Sequence, residues 1–293
     1  LTATSTSSIA ASNTLLMGAD ATIGGGGTLT LLTVLDNDGA RALTKTGSGT
    51  LILVADNSAS FVSATGTITI NAGAIKVTDA GALGDALGGT TIANDAVLEF
   101  ALGGSATVTE NLSLEGNGAA AGAALIHSAG NTLTLTGSIT LTNVALANDA
   151  TVSVSNAAGV MKVNGISDGL ATLGLTKIGA GALLMVTQQD YNGVTHVSDG
   201  ALRVGAADVL INSAGLDLGA TGVFNLTGFN QSLTKLDGVA GALVTNDVGS
   251  TADVATLTIS GGGGSYAGDI TENGTDTLTL VKSGSGTQSL SVV

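Results

Sequence analysis

Cysteine and proline are both absent from the 293-residue chain, and so is tryptophan. Without cysteine, disulfides and thiolate metal centres are excluded. Without proline no position loses its backbone donor, which suits uninterrupted ladders of strand hydrogen bonds. Aromatic residues make up 2% of the chain, so the core must be built from Leu, Val, Ile and Ala, small enough to stack in narrow layers. Basic residues are scarce: 8 against 22 acids, a formal net charge of −14. That argues against nucleic acid, whose binders carry basic patches, and against docking on an anionic membrane surface. The acidity is read as solubility for a β-rich surface. No run of about 18 apolar residues exists, so no membrane-spanning helix is expected. No charged n-region and apolar h-region follow Leu1, so any signal peptide is expected to have been removed or to lie outside this segment.

What the chain does have is glycine, 45 residues of it, among 44% apolar residues. It is organised around Leu43 to Val77, LTKTGSGTLILVADNSASFVSATGTITINAGAIKV, and partial copies of that stretch. A second copy runs from Leu175 to Val204, LTKIGAGALLMVTQQDYNGVTHVSDGALRV, and a third begins at Leu278 and is cut short at Val293. Each has a short alternating strand, a Lys, a Gly-x-Gly turn and another alternating strand. The two complete copies add a loop, a strand rich in β-branched residues, an [AD]-G-A turn and a last strand. A strand-turn-strand unit that recurs without helices is the mark of a repeat architecture.

The rest of the chain keeps the same grammar. Thr28 to Leu35 nearly alternates aliphatic residues with Thr, and Asp36-Asn37-Asp38-Gly39 ends it. Alternation puts Leu and Val on one face and Thr on the other, while Asn, Asp and Gly tolerate the backbone of turns. Val97 to Phe100, Asn131 to Thr136, Ser138 to Thr142, Thr151 to Ser155, Val223 to Leu226, Ala255 to Ser260 and Thr277 to Leu280 read as further short strands. The nearest helical stretch, Gly118 to Ala124, is weakened by its glycines. Strands this short suit a coil that turns a corner every few residues, where a sandwich would want longer strands and aromatic anchors. The expected fold is therefore all-β: a right-handed parallel β-helix (β-solenoid), one elongated rod spanning residues 1–293 without an internal boundary. Lys45, Lys177 and Lys282 lie 132 and 105 residues apart. With ~20 residues per turn and ~4.8 Å between strands, the rod would be roughly 65–70 Å long.

Candidate chemistry is sparse. Gly47-Ser48-Gly49 lacks the Gly-Lys-Ser/Thr and the helix of a phosphate loop, so it reads as a tight corner. Asp36-Asn37-Asp38-Gly39 begins like a calcium loop, but Gly47 stands where the closing Glu belongs. Asp269, Glu272 and Asp276 form a loose acidic cluster without the tandem glycine-rich repeats of calcium-binding solenoids. Both are read as solvated turns. His127 and His196, the only histidines, have no partner motif and read as solvent-facing strand residues. The bases Arg41, Lys45, Lys76, Lys162, Lys177, Arg203, Lys235 and Lys282 are scattered, with no carboxylate-plus-base set of a polysaccharide lyase or hydrolase. The Asn-x-Ser/Thr sequons at Asn111, Asn225, Asn230 and Asn273 are read as chance matches in an Asn- and Thr-rich chain. Lys45, Lys177 and Lys282 are expected to point outward beside a corner, guarding the surface against lateral association. No catalytic, cofactor-binding or metal-ligating residue is assigned, no cofactor is expected, and the chain reads as no enzyme.

The pattern L-T-K-x-G-x-G-x-L, then Tyr-x-Gly, then [TI]-x-[IV]-x-x-G-A-[IL]-x-V resembles the passenger-associated transport repeat of bacterial autotransporters. The lead-ins Gly165-Ile166-Ser167-Asp168-Gly169 and Tyr266-Ala267-Gly268-Asp269-Ile270 resemble the segment that precedes it. The first copy departs from the pattern with Phe61-Val62-Ser63, and the third with Val281 and its truncation. The resemblance implies a secreted, structural segment of a passenger at the cell surface, which helps that passenger fold and cross the outer membrane. Turn-by-turn templating gives this a physical basis. No run of ~10-residue strands with aromatic girdles marks a translocator barrel. Both termini read as mid-solenoid, so the expected partners are flanking segments of a longer chain or further copies stacked end to end into a filament. Extracellular matrix or a host surface is a further expected partner, and neither nucleic acid nor membrane is. The rival reading, a carbohydrate-binding or carbohydrate-cleaving β-helix, would want a groove lined with aromatics and acids.

Overall fold

The computed structural model describes residues 1–10, 14–62, 64–118, 122–142, 149–169, 171–247 and 253–291. All regular structure among them is β, with no helix, and parallel strands stack into a β-solenoid of about 12 turns. Gly118 and residues 122–124 of the nearest helical candidate are irregular, and its residues 119–121 lie outside those described. The chain forms two compact units, Leu1–Ser153 and Val154–Val293.

In the first unit one sheet stacks the strands Ser7–Ile9, Thr28–Leu31, Thr50–Leu53, Gly73–Val77, Ala96–Phe100 and Leu125–His127. A second stacks Ala21–Ile23, Leu43–Lys45, Ile68–Ile70, Thr90–Ile92, Leu112–Leu114 and Ile139–Leu141. Every pairing is parallel, and each strand pairs with the one a full turn away. Leu29 pairs Leu51, Leu51 pairs Ile75, Ile75 pairs Leu98 and Leu98 pairs Leu125, so turns take 22 to 27 residues. In the second unit the chain Ala182, Ala201, Val223, Leu243, Asp269 gives turns of 19 to 26 residues. Turns therefore run somewhat longer than the expected ~20, and they vary.

Alternation does the positioning. The inward rows are aliphatic columns: Leu29, Leu51, Ile75, Leu98 and Leu125 are at most 4% exposed. Burying each such side chain is worth about 1.5–3 kcal/mol. The outward residues are mostly Thr, Ser, Lys and Glu, with Ile52 and Ile126 among them, and register neighbours there can pair, as Lys76 and Glu99 do at 2.9 Å. One expectation fails here. His127 shares its strand parity with Leu125 and lies in the inward row after Leu31, Leu53, Val77 and Phe100, fully buried. Its Nε2 lies 2.9 Å from the Asn131 carbonyl, which can only accept, so Nε2 carries the proton, and buried Nδ1 has no partner. His196 is half-exposed as expected and lies 3.0 Å from Asp217, its register neighbour.

Where the ladders break at corners, buried amide side chains stand in for backbone. Asn57 accepts from Leu35 N at 2.8 Å and donates to Ala82 O at 2.6 Å, touching the turns on either side of its own. Gln189 accepts from Ile166 N and donates to Asn164 O, both at 2.9 Å. Gln231 accepts from Val209 N at 3.0 Å and donates to Ala206 O at 2.7 Å. An amide offers both donor and acceptor, which a corner without sheet pairing needs.

Candidate functional site: lysine cradles at the repeat corners

The Lys of each complete copy does not point outward. Lys45 shares parity with Leu43 in a three-residue strand, and its register neighbours Ile23 and Ile70 belong to an inward row. Lys177 likewise pairs with inward Val197. Lys45 is 2% exposed and Lys177 fully buried. The four-carbon stem takes the place of an aliphatic core residue, and the ammonium reaches the corner at the end of the strand.

There it meets carbonyls. Lys45 Nζ donates to Thr46 O and Gly47 O, both at 2.8 Å, and to Ala72 O at 3.1 Å. Lys177 Nζ donates to Ile178 O at 3.1 Å, Gly179 O at 2.6 Å and Asp199 O at 2.8 Å. The two sites match atom for atom. Each ammonium uses all three donors, two on the Gly-x-Gly corner of its own turn and one on the residue before Gly73 or Gly200 in the following turn. Charge-assisted bonds of this kind are roughly twice as strong as neutral ones, and three of them offset part of the desolvation of a buried cation. Burial nonetheless pushes Lys177 down to about 8, against the opposing pull of Asp199, and burial lowers Lys45 as well.

The glycine of the [AD]-G-A turn is required by the same contact. Gly73 and Gly200 have φ of 71° and 67°. A Cβ on Gly73 would sit 2.3 Å from Gly49 O and 2.8 Å from Lys45 Nζ, and one on Gly200 2.3 Å from Gly179 O. The following turn therefore lies directly against the Gly-x-Gly corner, bringing its carbonyl to the ammonium. The loop between the two halves of the unit is pinned by a buried aromatic. Tyr191 is fully buried with its hydroxyl 2.6 Å from Thr195 Oγ1, and Phe61 takes the corresponding place in the first copy. Ser63, in the departure from Tyr-x-Gly there, lies outside the described residues.

Residues 43–77 and 175–204, the two stretches that hold the cradles, match the passenger-associated-transport-repeat family. The chain carries passenger-associated transport repeats. Over 221 residues, 70% of its length, it is 34% identical to the adhesin BmaC autotransporter of Brucella suis biovar 1 (strain 1330). The matched stretch is 6% of that adhesin, so the chain spans a small part of the length of this relative. No solved structure matches the chain. The third, partial copy has the corner without the burial: Lys282 is exposed, and its Nζ donates to Ser283 O at 2.5 Å and Gly284 O at 3.4 Å. Residues 292–293 of that copy lie outside those described.

The remaining sequence candidates go to backbone. Asp36 Oδ1 accepts from Asp38 N at 2.9 Å and Asn37 Oδ1 from Gly39 N at 3.0 Å, and Asn37 is buried. Asp276 accepts from Asp253 N and Glu272 from Leu278 N, rather than converging with Asp269 on one point. Three of the sequon asparagines are likewise tied to backbone: Asn111 accepts from Ser138 N, Asn225 from Thr227 N and Asn230 from Thr256 N. Among the described residues no group of three or more His, Asp or Glu side chains could hold a metal ion. Glu110 is a site that sequence reading passed over. It is 3% exposed, accepts from Thr90 Oγ1 at 2.7 Å through one oxygen, and buries the other without a partner. Burial raises it to about 7, with Asp85 adding to the rise and the Thr90 bond opposing it. Thr90 occupies an inward position, so this is a polar pair set into an aliphatic column.

Proposed function

We propose that this chain is a non-enzymatic segment of an adhesin passenger displayed at the bacterial surface, and that its transport repeats latch each new turn onto the one before. The likeness to an autotransporter adhesin supports the surface role. The latch rests on one observation: the ammonium left by one turn is satisfied only when the next turn delivers Ala72 O or Asp199 O. A partly built solenoid thus presents an ammonium whose third donor is left to water, and the next turn docks on it, replacing that water with a carbonyl. Each formed turn thereby stabilises the docking of its neighbour, so folding can propagate turn by turn. The test is surface display of the full-length protein carrying Lys45→Met and Lys177→Met. Display should fall several-fold at unchanged synthesis, and an unchanged amount at the surface would refute the latch.

The proposal extends to partners. In the strand Thr277–Lys282 the inward residues Leu278 and Leu280 stay half-buried, while their register partners Ala255 and Leu257 are fully buried. A further turn would cover them, supplied by a flanking segment or by another copy. Electron microscopy across a concentration series separates the two. Fibres of constant width would establish stacking of copies, and single particles at every concentration would rule it out.

A further inference from the structure

The second sheet of the first unit presents one outward residue per strand at its centre. These are Thr22, Thr44, Thr69, Thr91, Ser113 and Thr140, each the register partner of the next. Five threonines and a serine therefore form an unbroken hydroxyl column over six turns, at the ~4.8 Å spacing of paired strands. All six are exposed or half-buried. Ser113 lies 2.9 Å from Thr142 Oγ1. The hydroxyls of Thr22, Thr44, Thr69, Thr91 and Thr140 have no hydrogen-bonding partner among the described residues.

Folding does not require this. An outward strand position tolerates Lys or Glu, as Lys76 and Glu99 show on the neighbouring sheet. Yet the column carries no charge in a chain of net charge −14. At its upper part the face sinks into a shallow groove of about 300 Å³, lined by Gly89, Thr91, Asn111, Ser113, Ser138 and Thr140. Asn111 is fixed there, donating to Ala86 O and accepting from Ser138 N and Oγ, all at 2.9 Å.

We propose that this column and its groove bind an uncharged, linear glycan laid along the stack. The inference rests on the adhesin reading and adds the class of ligand. Charge selects it. A strongly acidic protein repels anionic polymers, and a column without carboxylates offers nothing to a cationic one. Each hydroxyl both donates and accepts, matching a partner that carries hydroxyls of its own, while the Thr methyl groups meet the C–H faces of sugar rings. A periodic column suits a periodic ligand. No aromatic platform is present, so each contact is weak and affinity comes from many rungs engaged at once.

Affinity electrophoresis of the full chain in gels containing a soluble linear neutral glucan tests this. The triple variant Thr69→Val, Thr91→Val and Ser113→Ala keeps shape and strand propensity and removes three hydroxyls. Retardation should fall at least fivefold, while Thr30→Val on the neighbouring sheet leaves it unchanged. Thr91→Lys, a single exposed substitution, gives an independent reading and should also weaken it severalfold. Retardation that survives in these variants overturns the proposal. So does preference for a sulfated glucan over the neutral one, or a concentration-dependent dimer in sedimentation that the triple variant abolishes, which would assign the face to a second copy. Adhesion by cells displaying the full-length protein is read in parallel. Adhesion without glucan retardation sinks the glycan and leaves the adhesin reading standing, whereas displayed protein without adhesion sinks the adhesin reading itself.

Discussion

The corners at Lys177 and Lys282 share the motif Lys-x-Gly-x-Gly and differ in everything that depends on neighbours. Lys177 is buried with three carbonyls on its ammonium, while Lys282 is exposed with two. The third carbonyl on Lys177, Asp199 O, is contributed by the following turn. The motif therefore supplies an unfinished site, and stacking completes it. A lysine that would be surface decoration on an isolated turn becomes a core residue in a stack.

The sharpest way to break this contrast is to prevent the turns from touching. Gly200→Ala places a methyl 2.3 Å from Gly179 O at a left-handed φ. It should destabilise the second unit by more than about 3 kcal/mol in denaturant unfolding. Gly274→Ala, also at positive φ but with open space around it, should cost about 1 kcal/mol. Next comes the cation. Lys177→Met leaves three carbonyls without their donor and should cost about 2–4 kcal/mol, against less than about 0.5 kcal/mol for Lys282→Met. Equal effects at the two positions would mean that the following turn does not complete the cradle.

Titration sharpens the contrast further, with opposite signs in the two units. Lys177 at about 8 lies below its ordinary 10.5. Between these values the unfolded chain holds a proton that the folded chain has released, so stability rises with pH across that window. Glu110 at about 7 lies above its ordinary 4.5. Its folded form keeps the proton, so the stability it contributes is full below about pH 4.5 and is lost as pH rises through 7. Thermal unfolding from pH 4 to 10.5 should show the first unit weakening by up to about 3 kcal/mol over the acid window. Glu110→Gln should flatten that slope, and Lys177→Met the alkaline one. A small effect is also expected at His127, an inward polar residue with half its ring unpartnered. His127→Leu should shift stability by less than about 1 kcal/mol, toward greater stability. A large loss would show that Nδ1 has a role that the lysine cradles do not exhaust.

Much of the fold was legible because alternation in short segments maps directly onto inward and outward faces. Asn131 to Thr136 and Ser138 to Thr142 could be placed on sight, and Thr132–Leu135 and Ile139–Leu141 are strands. The same rule would have turned Lys45 and His127 inward, since Leu43-Thr44-Lys45 and Leu125-Ile126-His127 put each on the parity of a leucine. Their polarity argued the other way and misled. The cost of burying polarity is met by partners from another turn, and a carbonyl 27 residues away leaves no mark in a local window. Glu110, Asn57, Gln189 and Gln231 were illegible for a related reason. They sit at corners, where no period operates and the partner is again a turn away.

Those corner amides have a consequence for how such a sequence can vary. Each clasps the backbone of neighbouring turns from a fixed point, so the loop beyond it can grow or shrink while the columns stay aligned. Turns of 19, 22 and 26 residues stand in one unit with their strands still in step. The fold keeps time by its corners rather than by counting residues. Insertions can accumulate outside the clasps like beads hung on a frame, altering what the surface displays and leaving the frame unchanged.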